Sequence, residues 1–438
     1  MDFWDLTIRF FSLTDANVRH VLAGSVLLGG AAGGLGCFAY LQKRSLIGDA
    51  LAHAALPGVA LAFIVVGQKE LLWLLLGAAA TGWLGAISVN LIARYSRIKP
   101  DAALGIVLSV FFGLGIVLLT SIQKSGSGSL AGLDKFLFGQ ASAMAAEDVR
   151  ILAVVGLSML GAVFVFFPRL KLVAFDPEAA RVLGIRVGWW EFFITTMIVF
   201  SVTIGLQAVG VVLMAALLIT PAASARQWTD RLPTMIIFAS VFGMIAGLVG
   251  AYVSFLAPRF PTGPWIVVAV SVIFGISLLF APGRGVVSRM RQLWMSRGKM
   301  TREHILKVLF RSGQTAGEYQ VRYSMKQIGR MWSFDARGLR RGLAQLVRSG
   351  ALDKEVDGFT LTESGMIEGA RVLRLHRLWE VYLTRFLDLP QDHVHRDAEE
   401  MEHIITPEIE AQLEGLLDQP EFDPHRQEIP YIGRKDTT

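Results

Sequence analysis

Long apolar stretches with few charges fill the chain to about residue 280, after which apolar positions recur with helical spacing among polar ones. A helix needs roughly 20 apolar residues to cross a bilayer. The pattern predicts spans at 18–41, 50–66, 71–93, 102–121, 151–167, 191–206, 208–224, 235–255 and 264–280. The run 189–226 is divided near Gly205–Gly210, because one helix of that length would measure roughly 57 Å, about twice the hydrocarbon core. Beyond Arg297 the pattern predicts helices at 302–311, 324–331 and 336–349, the last two separated by a turn at Ser333-Phe334-Asp335. A hairpin follows at 352–356 and 359–361, with Asp357-Gly358 suited to a type I′ turn. That order is a winged helix-turn-helix.

Composition agrees with a membrane protein. Of 438 residues 53% are hydrophobic and 18% charged, with mean hydropathy +0.50, too apolar for an ordinary soluble chain. The single cysteine, Cys37, lies in an apolar run, so no disulfide can form within the chain. The acidic start, Asp2 and Asp5, lacks the basic region of a cleavable signal peptide. Nine spans place Lys43/Arg44, Arg94/Arg97/Lys99, Arg169/Lys171/Arg181/Arg186, Arg226/Arg231 and Arg284/Arg289/Arg291 on one side. Lys69, Lys124, Lys135 and Arg259 are scattered on the other. The positive-inside rule then puts the amino terminus outside and the carboxy-terminal segment in the cytoplasm of a multi-pass plasma or inner membrane protein.

Within the membrane half, Asp49 and His53 are four residues apart and share a helix face. A carboxylate with an imidazole suits a divalent transition metal, and Pro57-Gly58 just beyond would interrupt the helix. The plainer reading makes Asp49 an interfacial N-cap, with His53 bonded to a neighbouring helix. Between two spans, Asp176 could cap a short helix that has Pro177 at its first position and ends at Gly184.

The segments Arg44-Ser45-Leu46-Ile47-Gly48-Asp49, His53-Ala54-Ala55-Leu56-Pro57-Gly58 and Val209-Gly210-Val211-Val212-Leu213-Met214-Ala215-Ala216-Leu217-Leu218-Ile219-Thr220-Pro221-Ala222-Ala223-Ser224-Ala225 carry a resemblance. From about residue 22 to 280 the chain resembles the permease subunit of zinc/manganese/iron ABC importers. The resemblance implies a permease homodimer in membrane lipid, separate ATPase subunits and an extracytoplasmic metal-binding protein. It implies Asp49 and His53 as pathway ligands, and Asp176, Glu178, Ala179 and Gly184 as the element that grips the ATPase. No Gly-x4-Gly-Lys-Ser/Thr motif occurs, so the chain is expected not to hydrolyse ATP and not to be an enzyme.

The second half divides by charge. Residues 297–348 carry 12 Lys/Arg against 3 Asp/Glu, and residues 349–438 carry 9 against 20. Arg337, Arg340 and Arg341 fall on or near the exposed face of the recognition-like helix, which suits DNA; the same face could equally be a solvated surface for protein docking. Six of the eight histidines lie after residue 300. His376/Glu380 and His395/Glu399 are spaced i, i+4, and Glu399, Glu402 and His403 also share a helix face. That mixture suits Mn²⁺, Fe²⁺ or Zn²⁺ better than Ca²⁺.

Leu361-Thr362-Glu363-Ser364-Gly365, His376-Arg377-Leu378 with Glu380, Val394-His395, Ala398-Glu399-Glu400-Met401-Glu402-His403 and Asp423-Pro424-His425 with Ile429-Pro430 carry a second resemblance. From about 301 to 430 the chain is similar to the diphtheria-toxin-repressor family of metal-dependent regulators. Its ligand positions fall on His376, Glu380, His395, Glu399, Glu402 and His403, with His304 where a first-helix ligand would come. Glu399 stands where iron-preferring members have cysteine, which leans the site toward Mn²⁺ because the thiolate is removed, with Zn²⁺ and Fe²⁺ as the alternatives. Lys307 stands where manganese members place a second acidic ligand, which counts against a full binuclear site.

The fold expected is an all-α polytopic membrane domain of about 8–9 transmembrane helices. A cytosolic, mainly α winged-helix domain and a helical metal-binding and dimerisation domain follow. The segments are 1–285 permease, 286–300 linker, 301–362 winged helix and 363–438 metal-binding and dimerisation. Three functions remain open. One is a divalent-metal permease, Mn²⁺ favoured, braked by its metal-loaded sensor. Another is a permease–repressor fusion that binds DNA with metal, tethered or released by proteolysis. The third is a membrane metal receptor that does not transport.

Overall fold

Gly210, at φ 87° and ψ 166°, divides the longest apolar run into two helices, a backbone conformation that a side chain would strain. The computed structural model describes residues 3–44, 46–68, 70–124, 139, 144–256, 260–387, 389–390, 401 and 405–431, and it separates into two units, Met1–Arg289 and Met290–Thr438. The first unit opens with α1 (Phe3–Ser12), α2 (Ala16–Leu41), α3 (Ile47–Val66), α4 (Leu71–Tyr95) and α5 (Pro100–Lys124). It continues with α6 (Ala146–Phe175), α7 (Pro177–Val182), α8 (Val187–Val209), α9 (Val211–Trp228), α10 (Leu232–Leu256) and α11 (Thr262–Phe280).

Eight of these, α2 to α6, α8, α10 and α11, are long and apolar enough among the described residues to cross a membrane. The ninth expected span corresponds to α9, which has 18 residues with Pro221 inside it. It packs against α2, α3, α8, α10 and α11, and Met214, Leu217, Leu218, Ala222 and Ala225 are wholly buried. A helix enclosed by protein on this scale does not need the continuous apolar surface that lipid demands. By contrast α6 leaves Phe164 84% exposed, with Val154 and Val165 also open, as a lipid-facing helix should.

Small residues set a close helix crossing. A Cβ on Gly29 would lie 2.1 Å from the Gly243 carbonyl oxygen, and one on Gly33 would lie 2.4 Å from that of Ala239. Gly247 approaches Ser25 in the same way. In lipid no hydrophobic force draws helices together, so backbone contact through small side chains supplies the packing of α2 on α10. The interruption expected at Pro57 is absent: α3 runs unbroken through it. Proline removes one backbone donor, but a helix packed by α4, α5, α8 and α9 keeps its path.

α1 was not foreseen from the apolar spans. It is amphipathic, burying Phe10 against Tyr252 and Phe255 of α10 while Phe3, Trp4, Ile8 and Phe11 remain exposed.

The second unit holds most of α12 (Val286–Ala316), then α13 (Met325–Met331), α14 (Ala336–Arg348), β1 (Leu352–Lys354), β2 (Phe359–Leu361), α15 (Glu363–Phe386) and α16 (Pro407–Leu416). Residues 286–300, expected as a linker, belong to the continuous helix α12. That stretch holds no proline and one glycine, Gly298, among good helix formers. α13 starts on a capping box of Ser324 and Gln327, and α14 on an Asp335 cap to the Gly338 amide. The hairpin pairs Lys354 with Phe359, leaving four residues in the loop instead of two. Neither Asp357 nor Gly358 has positive φ, so the type I′ turn expected there does not form. Ile305, Phe310, Leu339, Leu343 and Leu373 build one core, and Leu378, Leu413, Leu417 and Ile429 a second.

Candidate functional site

In the membrane unit, α3 starts at Ile47 with Leu46 as its cap, so Asp49 stands inside the first turn and is not the N-cap. Its carboxylate faces the other predicted residue: His53 Nε2 lies 3.3 Å from Asp49 Oδ1. The Phe112 ring meets the His53 ring edge on at 4.8 Å. His53 Nδ1 is buried and has no hydrogen-bond partner among the described residues. With the Nε2 hydrogen turned to Asp49, Nδ1 carries the free lone pair. A buried nitrogen without a partner beside a carboxylate is a donor set suited to a divalent transition ion. Pro57 also leaves the His53 carbonyl without its intrahelical donor.

The two membrane motifs meet in space. A Cβ on Gly48 would touch Leu218 Cδ2 at 3.0 Å and Ala215 Cα at 3.2 Å, and one on Gly36 would lie 1.8 Å from the Leu218 carbonyl oxygen. The helix carrying the pair is thus packed directly on α9.

At the other predicted membrane element, Asp176 Oδ1 accepts from the Ala179 amide at 2.9 Å, and Pro177 occupies the first helical position. The end of α7 is a Schellman arrangement, with Gly184 at φ 76° and the Ile185 amide donating to the Ala180 carbonyl at 2.9 Å. Ala180 is buried, whereas Glu178, Val182 and Leu183 are exposed.

In the second unit His376 and Glu380 face one another on α15, Nε2 to Oε1 at 3.2 Å, with both side chains at most 3% exposed. Lys307 of α12 reaches the same ring, its Nζ 3.3 Å from His376 Nδ1. His304, one turn earlier on α12, lies against the Trp332 ring at 4.9 Å. His395, Glu399, Glu402 and His403 lie outside the described residues. Among the described residues no three His, Cys, Asp or Glu side chains converge as a metal site. The His376–Glu380 pair fits a transition-metal ion as one nitrogen and one carboxylate donor; the Lys307 ammonium beside it does not fit a second ion.

Around this pair the unit is tied by buried ions. Arg377 sits 3.5 Å from Asp423 through Nε and donates to Gln314 at 3.1 Å, to Gln427 at 2.9 Å and to the Glu428 carbonyl. Burial pushes its guanidinium below the usual range, and Asp423 opposes that shift. Asp423 in turn accepts from the His425 and Gln427 amides. The Asp-Pro-His turn thus serves to clamp α15, a role its spacing did not reveal. On α14, Leu339, Leu343 and Leu346 are buried while Arg337, Arg340 and Arg341 are exposed on the other side.

Comparison with known proteins agrees with both halves. Residues 14–281 match the ABC 3 transport family, and residues 362–431 match the iron dependent repressor, metal binding and dimerisation domain. The manganese transport system membrane protein MntC of Bacillus subtilis is 40% identical over 381 residues, covering 87% of each chain. The zinc transport system membrane protein TroC of Treponema pallidum is 42% identical over 290 residues, 66% of this chain and 96% of that one. The solved structure of PsaBC from Streptococcus pneumoniae superposes with a TM-score of 0.58 at 32% identity, over 66% of this chain and 99% of that chain. The chain therefore belongs to the ABC 3 transport family: it is a membrane permease subunit, not an enzyme, and it carries a fused metal-dependent regulator domain.

Proposed function

We propose that this chain is the membrane subunit of an importer for Mn²⁺ that carries its own cytosolic metal sensor. The observation that carries this reading is the Asp49–His53 pair, with one imidazole nitrogen buried and without a partner among the described residues, on a helix packed against α9. The cargo ion passes this pair as separate ATPase subunits, docked on α7 through Glu178, Ala179 and its exposed end, switch a permease homodimer. An extracytoplasmic binding protein delivers the ion. The amino terminus lies outside and the second unit in the cytoplasm, a reading supported by the distribution of Lys and Arg. Relatives named for manganese support Mn²⁺, and one named for zinc makes Zn²⁺ the competitor to test.

The domain boundaries follow the same reading: permease to about 285, winged helix 301–362, and metal binding and dimerisation 363–438. Accumulated metal binds His376 and Glu380, with His395, Glu399, Glu402, His403 and His304 as the remaining candidates. Loading orders the helices of the domain and brakes transport.

A second output is favoured by one observation, the exposed Arg337, Arg340 and Arg341 on α14. In that reading the loaded domain binds DNA, tethered or after release.

The test is uptake of radioactive Mn²⁺ into proteoliposomes holding the permease, its ATPase and the binding protein, with Zn²⁺ as competitor. Asp49→Ala should reduce uptake to background while the complex still assembles; undiminished uptake removes Asp49 from the pathway. Titrating the full chain against its own upstream DNA at fixed salt, with and without Mn²⁺, separates the two outputs.

A further inference from the structure

We propose that Lys307 is a tethered cation that competes with metal for the His376–Glu380 pair, so that the sensor admits an ion there only by expelling the ammonium. The proposal rests on the sensor reading above. Its basis is the way the His376 ring is used.

Lys307 is 2% exposed, and its Nζ lies 3.3 Å from His376 Nδ1. An ammonium has three donors and no acceptor, so Nδ1 must offer it the lone pair. The ring hydrogen is then on Nε2, which faces Glu380 Oε1 at 3.2 Å. Both nitrogens are engaged, one by a cation and one by a carboxylate. A metal ion needs a nitrogen lone pair. Taking Nδ1 requires Lys307 to leave; taking Nε2 returns the ring hydrogen to Nδ1, where it opposes the ammonium, so Lys307 must leave there too. Either way the ammonium weakens binding, and like charges in a buried setting repel strongly.

A place to withdraw lies alongside. The Trp332 ring stands 5.8 Å from Lys307 Nζ and offers a face to an ammonium. Trp332, Val308, Arg311, Ser312 and Met331 line, with Lys307, a groove of about 520 Å³. The four-carbon stem of lysine can swing into it without moving α12. Lys307 thus sets the threshold at which the sensor loads.

The experiment counts Mn²⁺ bound to the full chain in nanodiscs by electron paramagnetic resonance, with Asp49→Ala in every sample so that the pathway pair is silenced. Changing a partner behind a metal-binding imidazole shifts affinity by about 10–100-fold. Lys307→Met should therefore tighten binding by at least about tenfold. Lys307→Arg, which keeps the charge, should bind no tighter than the parent. Parent-like or weaker binding by a folded Lys307→Met protein overturns the proposal, as does tightening in Lys307→Arg. If His376→Ala removes no ion from the parent, the sensor reading itself fails and this inference falls with it.

Discussion

His53 and His376 are both four residues from a carboxylate, yet their second nitrogens differ. His53 turns Nε2 to Asp49 and leaves Nδ1 without a partner among the described residues, whereas His376 turns Nε2 to Glu380 and has Lys307 at Nδ1. A pathway site must bind and release quickly, and a sensor must wait for a threshold; an open nitrogen suits the first and an occupied one the second. His53→Ala should accordingly abolish Mn²⁺ uptake, measured as initial rate in proteoliposomes. Asp423 shows how much a buried partner matters. Removing it by Asp423→Ala leaves the Arg377 guanidinium, 3% exposed, without its carboxylate. Breaking one side of a buried pair costs about 3–5 kcal/mol, so the second unit should lose protease resistance while the membrane unit keeps its own. At this scale the spacing within one helix was legible: Asp49/His53 and His376/Glu380 do face each other. The Lys307 contact was not, because its partner lies 69 residues away on another helix and no local period records that distance.

At the scale of elements the membrane helices could be read because lipid leaves a backbone few options, and apolar length alone marks each span. The break at Gly210 followed from length in the same way. Where the bilayer does not dictate the answer, the reading was weaker. Helix α1 is too short to announce itself by apolar length, and the first turns of α12 look like a linker only because they are charged. The α2–α10 contact was written in the chain as Gly29/Gly33 and Gly243/Gly247, each pair one turn apart, but nothing local says that the two meet. Gly33→Val should test it. Its side chain would strike the Ala239 carbonyl and Pro221, and overpacking of this kind costs about 1–3 kcal/mol. The expected outcome is loss of a monodisperse permease in mild detergent. Helix α7 can be tested more gently. Asp176→Ala removes its cap, worth about 1 kcal/mol, and should lower the ATPase activity that the permease stimulates before it lowers the amount of assembled complex.

For the whole molecule, the decisive fact is that one half has a counterpart that stands alone. The Treponema relative is matched over 96% of its own length by 290 residues of this chain, so a permease of this family does not need the second unit in order to exist. A fused regulator that merely added a DNA-binding activity would leave transport indifferent to internal metal. A brake would not. The two are separated by comparing the full chain with one ending after Arg289, where the first unit ends, each reconstituted with its ATPase and with Mn²⁺ buffered inside the vesicle. Under the brake reading, uptake by the full chain falls as internal Mn²⁺ rises, the truncated chain continues, and a chelator inside the vesicle restores the full chain. Equal uptake by both at every internal concentration removes the brake and leaves the exposed arginines of α14 as the sensor's output. In that case Arg337→Ala with Arg340→Ala should weaken DNA binding across sequences and flatten its dependence on salt, because each lost phosphate contact releases fewer counterions.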